Sequence, residues 1–329
     1  MMENLHAPLH TAEIPYIGSP GDMVSFIEGE ESFHYHVLDR SWHGGYPGMT
    51  LLPLEKRGEI LKGEGLPFRI DLMKIGEASL RFSGPLLCVG RFVDDAYVPC
   101  PGSNLPAEGF SQCTECLLLD IPDPSCVFEP HCYEEPCGAS FCQVPHVVYL
   151  TSFRSSLKVG MTQFRRMRER AMEQGADAML PLFLLKDRFS ARSYEVAVSR
   201  TLAIPQMVRG NVKLRNTASG KDLAEIGKNL LQAKEDLMMM WEEVEASSHP
   251  KAFILEDPGQ FKMEPILIDD YPLEEPLPSK PKRYKGDRIK GTVLGFKGNY
   301  MFFRQGGILA FRLSEVVGKV LHTDEKLER

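Results

Sequence analysis

All eight cysteines of this chain lie between residues 88 and 142 of its 329 residues. They are Cys88, Cys100, Cys113, Cys116, Cys126, Cys132, Cys137 and Cys142. Cysteines that only fill a core would be scattered, so the clustering indicates thiolates gathered by a metal or by disulfides. Cys113 and Cys116 are separated by two residues, a spacing that lets one turn present both thiolates to a single zinc ion. The segment is rich in Pro and Gly and has no long apolar period, so an external cross-link is needed to hold it together.

The N-terminal residues have neither a basic start nor an apolar core, which predicts a cytoplasmic protein without a secretory signal. Thiols in a reducing cytoplasm stay free or bind metal. We therefore predict one or two structural zinc ions. A simple partition assigns Cys88, Cys100, Cys113 and Cys116 to one site and Cys126, Cys132, Cys137 and Cys142 to another, with His131 and His146 as substitutes. Disulfides, an iron–sulfur cluster, or one zinc ion with further buried thiols are the alternatives.

A second chemical feature is a basic stretch directly after the cysteines. The whole chain carries a net charge of −7, but Thr151–Arg215 has thirteen cations and five anions, a net +8. A local basic domain in an acidic protein suits a polyanionic ligand, DNA or RNA. The cations predicted to contact phosphates are Arg165, Arg166, Arg170 and Arg188. A solvated basic face without a ligand is the alternative.

These residues lie in a regular β-β-α-β-α pattern. The predicted strands are His146–Phe153, Leu157–Met161 and Ala178–Lys186, and Pro181 indicates that the third is an edge strand. Thr162 as N-cap and Gly175 after the last turn are predicted to frame the first helix, and Ser190 to cap a second helix that ends near Ala203.

This module resembles the GIY-YIG nuclease superfamily over about residues 146–200. Val147-Val148-Tyr149 matches the first motif, with Val147 in place of its Gly, and Lys158-Val159-Gly160 matches the second, with Lys158 in place of a Tyr, as in a Lys-Ile-Gly subgroup. Arg168 and Glu195 match an Arg and a metal-binding Glu on the two helices, and no residue matches the late Asn. Over most of its length the chain resembles a branch of unknown function that joins a Cys-rich segment to this module and includes Lys297-Gly298-Asn299-Tyr300.

The resemblance implies phosphodiester hydrolysis with one Mg²⁺ or Mn²⁺ ion. Glu195 would anchor the ion, Tyr149 with help from Lys158 would activate water, and Arg168 would bind the scissile phosphate. These four residues are the predicted catalytic set. No organic cofactor and no membrane association are expected.

The residues themselves support part of this assignment. A hairpin loop of even length would put Tyr149 and Lys158 on one face, where the ammonium would lower the pKa of the phenol. At 100° per residue, Arg168 falls within the apolar arc of its helix, whereas Arg166 and Arg170 lie opposite. Glu195 borders the buried face of its own helix. The alternatives are ordinary strand packing for Tyr149, an arginine that extends outward from the core, and a glutamate that pairs with Arg192 or Arg200.

We therefore predict an α+β fold. Its predicted parts are a β-rich domain (1–87), a Cys-rich zinc-binding segment (88–145), a GIY-YIG-like αβ module (146–215), a helix (216–246), a Pro-rich acidic linker (247–285) and a tail of β-hairpins (286–329). The linker is expected to be extended and partly mobile. The tail is too short for a sheet of its own, so it is expected to pack on the N-terminal strands and to close a barrel or sandwich.

The predicted function is nucleic-acid processing, with a metal-dependent endonuclease as the leading candidate. One alternative is a zinc-containing protein that binds DNA or RNA without cutting it. Another is a scaffold whose basic face meets an acidic protein.

Overall fold

The computed structural model describes residues 22–24, 33–57, 60–93, 96–102, 104–121, 123–127, 129, 139–245 and 262–327. The strands are β1 (Asp22–Val24), β2 (Phe33–His43), β3 (Tyr46–Arg57), β4 (Ile60–Gly63), β5 (Phe68–Asp71), β6 (Glu77–Ser83), β7 (Arg91–Val93), β8 (Ala96–Val98), β9 (His146–Phe153), β10 (Ser156–Gln163), β11 (Ala178–Leu185), β12 (Ile266–Leu267), β13 (Lys282–Tyr284), β14 (Arg288–Lys297), β15 (Tyr300–Arg304), β16 (Ile308–Arg312) and β17 (Val320–Thr323). The helices are α1 (Thr114–Asp120), α2 (Met167–Gln174), α3 (Arg188–Thr201), α4 (Gly210–Asn216) and α5 (Leu223–Glu245). The fold is α+β, as predicted.

The largest sheet joins the two ends of the chain. Its strand order is β1-β4-β3-β2-β17-β6-β14-β15-β16-β13, and β5 pairs with β3. The C-terminal strand β17 lies between β2 and β6, so Leu321 pairs with Tyr35 on one side and with Phe82 on the other. β6 alternates buried and more exposed residues, which gives it one core face. The prediction that the tail packs on the N-terminal strands is confirmed.

The second sheet has the order β10-β9-β11-β12 and carries the predicted ββαβα arrangement. Every residue of β9 and β11 is buried, because both faces of the sheet are covered. Val148 and Leu150 pack with apolar residues of α3 and α5. Val147 and Tyr149 face the other way, toward α2 and the core of the large sheet. The strand β10 is left at the edge of this sheet.

The strand with Pro181 was predicted at an edge, and β11 lies inside the sheet only at its start. Ala178 and Met179 pair with β12, whereas Pro181 pairs with Tyr149 of β9 and has no partner strand on its other side within the described residues. The pairing with β9 shifts register between Pro181 and Phe183. Pro181 therefore lies where one side of the strand is unpaired, which suits a residue without an N–H.

The two helices of the module begin at other residues than predicted. Thr162 is not an N-cap, because β10 continues to Gln163 and a 3₁₀ turn at Phe164–Arg166 precedes α2. Gly175 does end α2 in the left-handed conformation, at φ 73°. Asp187 rather than Ser190 caps α3, and its carboxylate accepts a hydrogen bond of 2.7 Å from the Ser190 amide.

Helix α5 confirms the helix expected between residues 222 and 245, and its Ile226, Leu230, Leu237 and Trp241 pack in the core beneath the second sheet. α4 was not predicted. Of the helices in the described ranges, none combines the length and apolar character needed to cross a membrane. Residues 262–285 were expected to form an extended and partly mobile linker. They instead pack on the module, where Ile268 and Tyr271 are buried and β12 extends the sheet.

The motif Lys297-Gly298-Asn299-Tyr300 has a structural role in joining these parts. Lys297 Nζ lies 2.7 Å from Asp177 Oδ1 and 2.9 Å from Glu275 Oε2, and all three side chains are buried. Gly298 has φ 59°, and a Cβ on it would meet the Gly175 amide nitrogen at 2.6 Å. Only glycine fits there, because the turn needs a left-handed backbone in close contact with the end of α2.

Candidate functional site

The β9–β10 hairpin places Tyr149 and Lys158 on the same face. Its loop has the two residues between Phe153 and Ser156, and the register pairs Tyr149 with Gly160 and Thr151 with Lys158. Directly paired residues point to the same side, and Lys158 lies two residues before Gly160. The expected shared face is therefore confirmed.

The second motif has glycine at its third position, Gly160, because the Tyr149 side chain lies directly against it. A Cβ at Gly160 would lie 2.7 Å from Tyr149 Oη, closer than side-chain atoms approach each other. The absence of a side chain lets the Tyr149 ring cross the neighbouring strand. The glycine thus positions the phenol rather than providing a flexible turn.

A cleft of about 570 Å³ opens beside Tyr149 and the edge strand β10. Its charged lining residues are Lys158, Arg166, Arg170, Arg188, Arg192 and Glu195. Five cations therefore surround one carboxylate, which suits a bound phosphate group. The cleft also contains His146 and Gln174. It brings together three of the four predicted catalytic residues, Tyr149, Lys158 and Glu195.

Arg168 is the exception, and the prediction that it faces the core side of its helix is wrong. Its side chain is 52% exposed, and Nη2 donates a 2.5 Å hydrogen bond to Asp270 Oδ2. Arg168 lies in the first turn of α2, and helical side chains lean toward the N-terminus. Only a short 3₁₀ turn precedes α2, so Arg168 has no α-helical turn to pack on, and an angular projection does not show this.

Arg170 enters the cleft although its projection predicted the outward side. Its positive charge acts on the Tyr149 phenol, and its Nη1 lies 3.0 Å from Glu173 Oε2. The Tyr149 oxygen accepts a 2.9 Å hydrogen bond from Gln174 Nε2. Arg170 rather than Arg168 is thus the arginine of α2 that lies beside Tyr149 in the cleft.

The ionisation of the two hairpin residues differs from the expectation. Burial raises the pKa of the Tyr149 phenol, although the charge of Arg170 and the Gln174 hydrogen bond oppose the shift. The prediction that this pKa is lowered is therefore wrong, because the phenol is almost completely enclosed. Burial, together with the charge of Arg170, lowers the pKa of Lys158 to about 8, and Glu195 acts in the opposite direction.

Glu195 is 7% exposed and has a direct partner. Arg192 Nη1 donates hydrogen bonds of 2.7 Å to Glu195 Oε2 and to Gln206 Oε1. The pairing with Arg192 matches the alternative noted from the sequence. The carboxylate nevertheless lines the cleft, so one residue faces both a neighbouring guanidinium and the open space.

The other arginines that were predicted to contact phosphate differ in how deeply they are buried. Arg188 is buried, and its guanidinium donates hydrogen bonds to the carbonyls of Cys126 and Val127, so it also fastens the Cys-rich segment to α3. Arg166 is 46% exposed and pairs with Glu173 at 2.7 Å. Arg165 is exposed and does not appear in the cleft lining.

Four of the cysteines form one buried cluster. The sulfur atoms of Cys88, Cys100, Cys113 and Cys116 all lie within 4.8 Å of one another, an arrangement that could hold a metal ion. Cys113 precedes α1 and Cys116 lies in its first turn, while Cys88 and Cys100 flank the β7–β8 hairpin. The first group of the predicted partition is therefore gathered as expected.

Only two members of the second predicted group, Cys126 and Cys142, lie within the described residues. Cys126 and Cys142 are buried, and neither belongs to the four-cysteine cluster. Cys132, Cys137 and the candidate substitute His131 lie outside the described residues. His146 is described, and its Nδ1 lies 2.7 Å from the Val144 carbonyl oxygen. A second zinc site stays a prediction.

A family model described as "Protein of unknown function (DUF2797)" matches residues 101–317. The chain belongs to this family. The match spans part of the cysteine cluster, the whole αβ module and most of the tail. No curated protein and no solved structure matches the chain at a significant level. The family description gives no activity, so the GIY-YIG resemblance stays a prediction.

Two residues near the candidate site of this DUF2797 protein were not predicted from the sequence. Gln174 contacts the phenol. Lys213 Nζ lies 2.8 Å from the Gln174 carbonyl oxygen and 4.1 Å from the centre of the Phe153 ring. Both contacts depend on packing between separate elements. The contact of Arg192 with Glu195 could be predicted, because the two residues are three positions apart on one helix.

Proposed function

We propose that this protein processes nucleic acid, and that the cleft beside Tyr149 binds and hydrolyses a phosphodiester with the help of Mg²⁺ or Mn²⁺. One observation carries the proposal. Tyr149, Lys158, Arg170 and Glu195 line a single cleft that has five cations and one carboxylate. A phosphodiester carries the complementary charge, and a hard divalent ion prefers a carboxylate with waters and phosphate oxygens.

The residues have distinct roles in this proposal. Arg170 binds the nonbridging oxygens of the scissile phosphate and opposes the charge that develops on it. Tyr149 keeps its proton, because burial raises its pKa, and donates a hydrogen bond into the cleft. A divalent ion held by Glu195 would stabilise the leaving oxygen. Lys158, with a pKa of about 8, accepts a proton from the attacking water when it is neutral.

The cysteine cluster is assigned to structural zinc in the same proposal. Four buried sulfur ligands form the closed set that is typical of structural rather than catalytic zinc. The cluster fixes the β7–β8 hairpin and α1 next to the large sheet. It takes no part in the cleavage step.

A second candidate function is nucleic-acid binding without cleavage. The pairing of Glu195 with Arg192 at 2.7 Å favours it, since the guanidinium occupies the oxygen that an ion would need. The cations of the cleft support binding in either case.

The two functions are separated by one comparison on the zinc-loaded protein. Labelled single-stranded, duplex and branched DNA and RNA are incubated with Mg²⁺, Mn²⁺ or EDTA, and binding and cleavage are both measured. We expect metal-dependent cleavage that Glu195→Gln reduces by about 100-fold or more, with binding in EDTA retained. Glu169→Gln, which removes a carboxylate outside the cleft lining, is the matched control. Binding without any cleavage would favour the second function, and no binding of any substrate would reject both.

A further inference from the structure

Arg192 connects the Cys-rich segment to the carboxylate of the cleft. On one side its Nη1 donates to Glu195 Oε2 at 2.7 Å. On the other side its Nε and Nη2 donate to both oxygens of Glu129, at distances between 2.7 and 3.1 Å. One guanidinium therefore bridges two carboxylates from different parts of the fold.

The two carboxylates differ in exposure. The Glu195 side chain is 10% exposed, and the Glu129 side chain is 63% exposed. The pair with Glu195 is thus poorly screened by water, whereas the pair with Glu129 is well screened and individually weak. The bidentate geometry at Glu129 still fixes the direction of the guanidinium.

We propose that Arg192 is a positioning residue that competes with the divalent ion for Glu195, and that Glu129 weakens this competition by holding the guanidinium. The inference rests on the proposed function, because it assumes that Glu195 is the anchor of the ion. It adds a regulatory contact to that site, made by a residue of the Cys-rich segment.

The physical argument concerns what Arg192 loses when an ion arrives. An ion at Glu195 repels the guanidinium and takes its acceptor. Arg192 is 19% exposed, so without another partner it would be left with a largely buried charge, which is costly. Glu129 and Gln206 still accept hydrogen bonds from Arg192. The free energy needed to separate Arg192 from Glu195 is therefore smaller.

The test measures Mn²⁺ affinity by the electron paramagnetic resonance signal of free Mn²⁺, on full-length protein whose zinc sites are filled. Arg192→Gln removes the competing cation, so Mn²⁺ should bind about fivefold more tightly. Glu129→Gln frees the guanidinium for Glu195, so Mn²⁺ should bind about threefold more weakly. Because Glu129 is mostly exposed, this change should leave folding and zinc content unaltered.

A double variant makes the test specific. If Glu129 acts through Arg192, Glu129→Gln should have no further effect on Mn²⁺ affinity once Arg192→Gln is present. Glu115→Gln is the matched control, since it removes the same charge from the Cys-rich segment at a side chain that pairs with Asn104. It should leave Mn²⁺ affinity unchanged.

The outcomes separate this inference from the proposed function. Mn²⁺ binding that Glu195→Gln abolishes but Glu129→Gln does not change would overturn the inference alone. If Glu129→Gln lowers the Mn²⁺ affinity by the same factor when Arg192→Gln is also present, the inference is overturned as well. Mn²⁺ binding that Glu195→Gln does not affect would reject Glu195 as the anchor, and both proposals would fail.

Discussion

At the scale of single residues, Lys158 is the cation of the cleft whose charge changes closest to neutral pH. Burial lowers its pKa to about 8, so the ammonium is present below that pH and is lost above it. We expect the affinity for a short DNA or RNA, measured in EDTA at constant salt, to fall severalfold between pH 7 and pH 9. Lys158→Arg should flatten this profile, because a guanidinium stays charged throughout. An equally steep profile in Lys158→Arg would show that another group titrates.

The sequence predicted Tyr149, Lys158 and Glu195 as site residues because motif order and hairpin register are local properties. It exchanged Arg168 with Arg170 because an angular projection ignores position along the helix axis. It placed the pKa shift of Tyr149 in the wrong direction for a related reason. The charge next to a phenol can be inferred from the sequence, whereas its enclosure depends on elements that are distant in the chain.

At the scale of elements, the four-cysteine cluster joins helix α1 to the β7–β8 hairpin. Purified protein should contain at least one zinc ion per chain. Cys113→Ser should remove about one equivalent and lower the melting temperature, because metal-binding energy in such segments is folding energy. Elemental analysis and thermal unfolding measure the two effects. Ser111→Ala changes an exposed side chain in the same segment and is the control.

Two results would contradict the zinc assignment. One is protein without zinc whose thiols all react freely in the native state. The other is a Cys113→Ser variant with unchanged zinc content and unchanged melting temperature.

Sequence patterns gave the type and order of the elements better than their ends. The helix predicted within residues 216–246 is present as α5, and the three strands predicted for the module are present as β9, β10 and β11. Ser190 resembles an N-cap, but Asp187 three residues earlier accepts the capping hydrogen bond. The bulge at Pro181 depends on the partner strand, so composition alone could not reveal it.

At the scale of the whole molecule, a buried histidine lies where the two ends of the chain meet. His36 in β2 pairs with Val320 in β17, and its side chain is buried. Burial lowers its pKa to about 4, although hydrogen bonding to the backbone at Gly318 and Leu87 opposes the shift. The unfolded chain therefore takes up a proton near pH 6.5 that the folded protein excludes. The stability that the neutral His36 contributes is therefore fully present above pH 6.5 and is lost as the pH falls toward 4.

We expect the free energy of unfolding in urea to decrease between pH 7 and pH 4.5 by up to about 3 kcal/mol from this group. His36→Gln should lower stability at pH 7 but reduce the pH dependence. His43→Gln, on the same strand but with a 53% exposed side chain, should keep the wild-type dependence. A His36→Gln profile parallel to that of the wild type would contradict this assignment.

The buried charges that join the parts of the fold were not foreseen. Asp177 of the module and Glu275 of the supposed linker both contact Lys297 of the tail, and Arg154 Nη1 lies 2.5 Å from Asp177 Oδ1. The sequence indicated no partner for any of these four charges. Only the folded chain brings them together, and removing Asp177 would leave two buried cations, Arg154 and Lys297, to share the Glu275 carboxylate.

The central claim is that nucleic acid is bound and cut in the cleft beside Tyr149, where Arg170 contacts the phosphate. The most direct measurement compares Arg170→Ala with Arg168→Ala, two identical changes two residues apart on one helix. Single-turnover cleavage of the best substrate should fall by about 100-fold in Arg170→Ala, with weaker binding, and should stay near wild type in Arg168→Ala. Loss of cleavage in Arg168→Ala with wild-type cleavage in Arg170→Ala would contradict the account.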